Sequence, residues 1–122
     1  GELGAWWGTA TVGFVGGSLT QRGGQNMIEP AAYGVATCFG PNTHHFRDVV
    51  EALLAAEAAE VVHDGAELAA FVGRMLENPA AAAALGDRAR SLVGQQLGAT
   101  RRTIELLFDL TTTANATSRR AA

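Results

Sequence analysis

Residues 11 to 30 read TVGFVGGSLTQRGGQNMIEP, and this stretch decides the fold class of the chain. Its first five residues form a short apolar run, which predicts a buried β-strand over 11–15. Two glycine pairs, Gly16-Gly17 and Gly23-Gly24, follow the strand, and a short helix is predicted over roughly 27–33. A strand, a glycine-rich loop and a helix start bring backbone N–H groups up to an anionic ligand. The stretch therefore predicts an α/β domain with an anion site after its first strand.

The alternation of short strands and helices continues along the chain. A short helix is predicted over 2–9, and its Trp6 and Trp7 are expected to be packing anchors. Strands are predicted over 35–39 and 60–63, and helices over 46–56, 67–76 and 80 to about 110. Strands that alternate with helices form parallel sheets, so a Rossmann-like parallel sheet with flanking helices is expected. In such sheets ligands bind outside the carboxyl ends of the strands, where the loops at 16–25 and 40–45 would meet.

The last predicted helix contains three glycines, Gly86, Gly94 and Gly98. Each costs up to about 1 kcal/mol inside a helix, so a break is expected. Residues 111–122 lack periodicity and are predicted to be a disordered tail. The domain is therefore expected over 1–110. Because the chain begins abruptly and without methionine, it is expected to be a piece of a longer protein.

The overall composition excludes several classes of protein. The net charge of −3 and the absence of a basic stripe argue against nucleic-acid binding. No apolar run approaches the roughly 18 residues of a membrane helix, and no signal peptide is visible, so a soluble chain is expected. The single cysteine, Cys38, cannot form an internal disulfide and is predicted to pack in the core.

Three polar residues of the opening stretch are candidates for binding, and each has a structural alternative. Glu29 would accept hydrogen bonds from a ribose diol, or it would form a capping box with Asn26. Arg22 would clamp a phosphate or carboxylate, or it would be a solvated loop residue. The glycines would allow close backbone approach to a ligand, or they would simply turn the chain.

Several familiar sites are not indicated. The stretch has neither the G-x-G-x-x-G spacing of dinucleotide-binding folds nor the G-K-[S/T] of a P-loop. His44 and His45 are adjacent and have no completing ligand spacing, so no metal site is predicted, and no cofactor is implied. His63 is expected at the surface. No catalytic constellation of Ser-His-Asp, Cys-His or paired carboxylates can be assigned.

Four segments together resemble a known family: GEL at 1–3, FVGGSL at 14–19, RGGQNMIEPAA at 22–32 and GP at 40–41. They are similar to the C-terminal half of bacterial 3-deoxy-D-manno-octulosonic acid (Kdo) transferases, which are lipid A glycosyltransferases with a GT-B fold. The resemblance covers roughly residues 1–110. It implies a CMP-Kdo donor and transfer of Kdo to a lipid A precursor at the cytoplasmic face of the inner membrane, by an inverting displacement without a metal.

The resemblance also implies which residues bind the nucleotide. Asn26 to Glu29 fall where the family contacts CMP, with Glu29 as the ribose partner. Residues 1–3 would border the cytosine and ribose, residues 16–18 would line the cleft, and the helix after Gly24 would point its positive end at the phosphate. The complete predicted set is Gly1, Glu2, Leu3, Gly16, Gly17, Ser18, Arg22, Asn26, Met27, Ile28 and Glu29.

The resemblance places the catalytic glutamate, the acceptor-binding surface and the membrane anchor in the family's N-terminal domain, which is expected to be absent from this chain. The chain is therefore expected to carry no catalytic residue and to be inactive alone. It also has His45 where many relatives have an asparagine. Two alternatives stay open, a GT-B donor domain for a UDP- or GDP-sugar and a non-catalytic Rossmann-like interaction module. Self-association through an exposed face or the 80–110 helix is expected.

Overall fold

The structure is a computed structural model that describes residues 6–121, with side-chain surroundings as far as residue 114. Residues 1–3, predicted to border the cytosine, lie outside the described residues. Three parallel strands form one sheet in the order β1, β2, β3: Val12–Val15, Ala36–Phe39 and Glu60–Val61. Val15 pairs with Phe39 at the carboxyl end of the first two strands. The predicted parallel α/β sheet is confirmed.

Between residues 12 and 121, the helices that flank the sheet are α1 (Ile28–Ala32), α2 (Arg47–Ala55), α3 (Gly65–Glu77) and α4 (Pro79–Ala121). A 3-10 turn over His44–Phe46 leads into α2. The third strand is shorter than predicted. Helix α3 begins earlier than predicted because the Asp64 carboxylate accepts a hydrogen bond from the Glu67 backbone N–H at 2.8 Å. This Asp-x-x-Glu spacing is a helix-start signal that the sequence prediction missed.

Every residue of β2 is buried, which is typical of a central parallel strand covered on both faces. Successive side chains of a strand point to opposite faces, so Cys38 and Phe39 belong to different clusters. Phe39 packs with Val15, Met27, Leu53 and Val93. Cys38 packs with Phe71, Met75 and Leu85. The predicted core position of Cys38 is confirmed, and burial raises the pKa of its thiol to about 12.

Helix α4 runs without interruption from Pro79 to Ala121, so the predicted break at its glycines is wrong. The reason is clearest at Gly86, which lies against the backbone of Gly34. A Cβ on Gly86 would overlap the Gly34 carbonyl oxygen and lie 2.6 Å from the carbonyl carbon. A glycine here permits the helix to approach α1 closely, and this packing outweighs its poor helix propensity.

The helix also includes most of the segment for which the sequence predicts a disordered tail. Residues 99–114 are exposed around the whole helix, so no tertiary packing holds this described part of α4. The domain boundary at 110 therefore stays a prediction. No helix within residues 6–121 has both the length and the apolar character needed to cross a bilayer.

The two tryptophans behave differently. The ring of Trp7 covers Gly13 of β1, where a Cβ would lie 2.7 Å from Trp7 Cζ3. Trp7 is thus the packing anchor that the sequence predicts. Trp6 is 72% exposed, so its predicted anchoring role is not seen among the described residues.

Candidate nucleotide-binding site

Ser18 holds together the loops that leave β1 and β2 at the carboxyl edge of the sheet. Its hydroxyl donates to the Val15 carbonyl oxygen and accepts from the Gly40 N–H at 2.8 Å. The Asn42 N–H donates to the Ser18 carbonyl oxygen at 2.9 Å. Ser18 is fully buried, so its side chain connects the two loops and does not present its hydroxyl to a ligand.

The loop between β1 and α1 needs glycine at several positions. Gly17, Gly23 and Gly24 have φ values of +75°, +88° and +85°, which side-chain-bearing residues rarely adopt. The Gln25 N–H donates to the Gly16 carbonyl oxygen at 2.9 Å and closes the loop on itself. The loop is therefore a compact turn whose two ends meet beside the sheet.

Gly40 has a structural role that its breaker sequence, Gly-Pro, did not reveal. A Cβ at Gly40 would lie 2.5 Å from the Ser18 carbonyl carbon and 2.7 Å from the Leu19 nitrogen. The two loops therefore touch backbone to backbone. The predicted meeting of the loops at 16–25 and 40–45 on one edge is confirmed.

Only the Asn26 half of the predicted capping box is formed within the described residues. The Asn26 Oδ1 accepts from the Ile28 N–H at 2.9 Å and fixes the start of α1. Within residues 6–121, no hydrogen bond joins the Glu29 carboxylate back to Asn26, so the reciprocal half of the predicted capping box is not formed. Glu29 is partly exposed, and its carboxylate can accept from a ligand hydroxyl.

Met27 and Ile28, between Asn26 and Glu29, pack against the core. The Met27 side chain is fully buried in the core, so this residue can reach a ligand only through its backbone. Ile28 packs partly against the same core. Helix α1 has five residues, little more than one turn, so its dipole is a small part of any phosphate binding. The exposed Arg22 is the cationic side chain of the glycine loop.

His44 and His45 lie directly against the glycine loop. A Cβ at Gly23 would lie 2.6 Å from His44 Nε2 and would overlap the His45 ring. The two ring centroids are 4.3 Å apart. The sequence interpretation considered this pair as metal ligands, and His45 as a departure from the family's asparagine. It missed this contact, although both loops follow neighbouring strands. Among the described residues, no group of three metal-binding side chains is brought together.

A cavity of about 320 Å³ opens beside His44, between the second loop and α2. Its lining residues are Pro41, Asn42, Thr43, His44, Arg47, Val50 and Glu51. It offers cationic, amide and hydroxyl groups together with one carboxylate. Such a mixture suits a polar ligand better than an apolar one.

The end of β3 carries charged groups that stabilise local structure. The exposed His63 lies next to the start of α3, where its Nδ1 is 2.8 Å from the Glu67 carboxylate. The same carboxylate accepts a hydrogen bond from the His63 backbone N–H. These hydrogen bonds lower the pKa of Glu67. Arg74 forms an ion pair with Glu60 at 2.9 Å. The predicted surface position of His63 is confirmed.

No protein-family model matches the chain. The chain is 37% identical over 109 residues to the 3-deoxy-D-manno-octulosonic acid transferase of Bordetella pertussis, which covers 89% of this chain and 26% of that protein. It is 30% identical over 108 residues to the enzyme of the same name from Haemophilus influenzae, covering 88% of this chain and 25% of that protein. The chain thus spans about a quarter of the length of these curated relatives.

A solved structure shows the same fold. The crystal structure of the C-terminal CMP-Kdo binding domain of WaaA from Acinetobacter baumannii superposes with a TM-score of 0.71 and 31% sequence identity. The match covers 76% of this chain and 49% of that one. In sequence the chain is therefore a relative of the 3-deoxy-D-manno-octulosonic acid transferases, and in fold it corresponds to the C-terminal domain of a GT-B glycosyltransferase.

Proposed function

We propose that this chain is the donor-binding part of a glycosyltransferase that moves Kdo from CMP-Kdo to a lipid A precursor. The observation that carries this proposal is the similarity, in sequence and fold, to a domain described as binding CMP-Kdo. The relatives named as Kdo transferases support the same reaction. The whole enzyme would act at the cytoplasmic face of the inner membrane and would supply the catalytic base and the acceptor site from other residues. The chain alone would be inactive.

In this proposal the glycine loop and α1 bind the nucleotide. The Glu29 carboxylate accepts hydrogen bonds from the ribose hydroxyls, and Asn26 holds the backbone that positions it. Loop N–H groups and Arg22 bind the phosphate. When the bond between the anomeric carbon and the phosphate oxygen breaks, that oxygen keeps the electron pair, and these donors stabilise the departing CMP.

Two other functions would use much of the same geometry. A UDP- or GDP-sugar donor would also place a ribose at Glu29, but the CMP-Kdo binding neighbour favours cytidine. A non-catalytic interaction module would use the Asn26 and Glu29 segment only to start a helix. The missing Glu29 half of the capping box weighs against that reading, because it leaves the carboxylate without a helix-capping role.

The test is a titration of the chain with CMP, UMP and GMP, followed by amide chemical shifts and calorimetry. CMP should bind saturably and more tightly than the other two nucleotides. Glu29→Gln should weaken CMP binding by about tenfold or more, since a hydrogen bond to a charged group contributes about 1.5–3 kcal/mol. Glu77→Gln, an exposed carboxylate at the end of α3, is the matched control and should bind like the wild type.

Two results would contradict this assignment. A clear preference for UMP would replace the CMP donor with a UDP-sugar. If Glu29→Gln changed the unfolding midpoint but left CMP affinity intact, the residue would be a helix-capping group only.

We further propose that the chain self-associates through the distal part of α4. Large apolar side chains there are exposed, and an exposed apolar surface of this kind favours association. They are Leu97, Ile104, Leu106, Leu107, Phe108 and Leu110. Sedimentation should show a concentration-dependent mass that falls to the monomer when Ile104 and Phe108 are replaced by serine. A monomer at all concentrations would refute self-association.

A further inference from the structure

His44 and His45 make a contact that nucleotide binding does not explain. Both residues are exposed, yet both rings lie against the backbone of Gly23 in the loop proposed to bind the phosphate. One side of the pair therefore contacts the glycine loop, and the other side faces solvent. In this position the two imidazoles could contact the part of a ligand that is attached to the phosphate.

The position of the pair is fixed from three directions. Phe46, in the same 3-10 turn, packs against the core cluster that includes Phe39. The hydrogen bond from Asn42 to Ser18 ties the second loop to the first. A Cβ at Gly24 would lie 3.5 Å from the Asn42 carbonyl oxygen, so the two loops are in ordinary van der Waals contact at this point as well. The imidazoles therefore sit on a rigid edge and are pre-positioned for a ligand.

The cavity next to the pair has the size and chemistry of a small polar site. Its volume of about 320 Å³ falls at the lower end of the range for small-molecule sites, about 300–1,000 Å³. His44 and Arg47 line it together and can both donate to an anion. Thr43 and Glu51 can bond to hydroxyl groups. A compact sugar that carries a carboxylate matches this set.

We infer that His44 and His45, with Arg47 and the adjoining cavity, bind the carboxylate-bearing sugar of the donor next to its phosphate. This inference rests on the proposed function, since the phosphate must first be held by the glycine loop. The imidazole N–H groups donate hydrogen bonds to the carboxylate and to neighbouring hydroxyls. A nucleotide linked to a neutral sugar would lack the carboxylate and would gain less from this part of the site, so the pair would contribute to donor specificity.

The test separates the sugar from the nucleotide by comparing CMP with intact CMP-Kdo. Dissociation constants are measured by calorimetry for the wild type, His44→Ala, His45→Ala and the double variant. The wild type should bind CMP-Kdo more tightly than CMP. The double variant should lose about tenfold or more in affinity for CMP-Kdo, while its affinity for CMP changes by less than about twofold.

The matched control is His63→Asn, which removes an exposed imidazole from the same edge of the sheet, one strand further away. It should leave both affinities unchanged, and thermal unfolding of each variant checks that the fold persists. Equal losses for CMP and CMP-Kdo in the double variant would overturn the inference, because the pair would then only support the glycine loop. Unchanged affinities would overturn it too. If the wild type bound neither ligand, the proposed function would fail first, and this inference would fail with it.

Discussion

Replacing Gly86 by alanine should destabilise the domain, although alanine is the better helix former. In a helix interior, Gly→Ala normally gains about 1 kcal/mol. At this position the new methyl group would overlap the Gly34 carbonyl oxygen and lie 2.6 Å from its carbon. The neighbour is backbone, which cannot rotate away as a flexible side chain would. The helix α4 must therefore move away from α1.

The expected size of the effect follows from these two contributions. Overpacking a well-packed interior costs about 1–3 kcal/mol, and a clash with backbone belongs at the upper end of that range. After subtracting the gain in helix propensity, we expect Gly86→Ala to lower the free energy of unfolding by about 2 kcal/mol. A movement of α4 would also disturb the buried residues next to it, Leu85 and Ala89, which pack on opposite faces of the sheet.

Two other glycines in the same helix provide matched controls. A Cβ on Gly94 or Gly98 would meet no atom within 4 Å. Gly94→Ala and Gly98→Ala should therefore stabilise the domain, each by up to about 1 kcal/mol. Urea unfolding followed by far-ultraviolet circular dichroism measures the free energy of unfolding of the three variants. The dependence of that free energy on urea concentration should be the same for all of them. A Gly86→Ala protein as stable as Gly94→Ala would refute the close packing of α4 on Gly34.

Three further outcomes are expected at the edge and in the core of the sheet. Ser18→Ala should cost about 1–3 kcal/mol in urea unfolding and weaken CMP binding, because it leaves the Val15 carbonyl and the Gly40 N–H without their buried partner. Gly23→Ala should weaken CMP binding in calorimetry more than it weakens the fold, since φ is +88° and the glycine loop would have to change its backbone conformation. Cys38 should resist a thiol reagent at pH 8 until the protein is unfolded. Because burial raises its pKa from 9.0 to about 12, the unfolded chain loses the thiol proton first, so stability should fall between pH 9 and 12 relative to Cys38→Ala.

The sequence predicted most of the sheet and the meeting of two loops at its carboxyl edge. Strands over 11–15 and 35–39 are confirmed as Val12–Val15 and Ala36–Phe39, because short apolar runs bounded by glycine carry a strong local signal. The order of elements placed two loops at one edge, which the structure confirms. The length of β3 and the start of α3 were less accurate, since element ends depend on caps such as Asp64.

The sequence could not show which residues of the motif are buried and which are exposed. Ser18, Met27 and Glu29 lie in the same stretch of sequence, and all three were predicted to bind the nucleotide. The structure buries the first two completely and leaves Glu29 partly exposed. Burial depends on which neighbouring loop or core cluster covers each residue, and that is a property of the packed chain.

By itself, the sequence determined the fold class, the resemblance to Kdo transferases and the position of the glycine loop, because these depend on local patterns and their order. Only the tertiary structure decided that Gly86 permits close packing on Gly34 and that His44 and His45 lie on Gly23. These partners are distant in sequence, and packing of the sheet and helices brings them together. A glycine that looks like a helix breaker therefore becomes a contact point, and two histidines without metal-ligand spacing become a contact of the glycine loop.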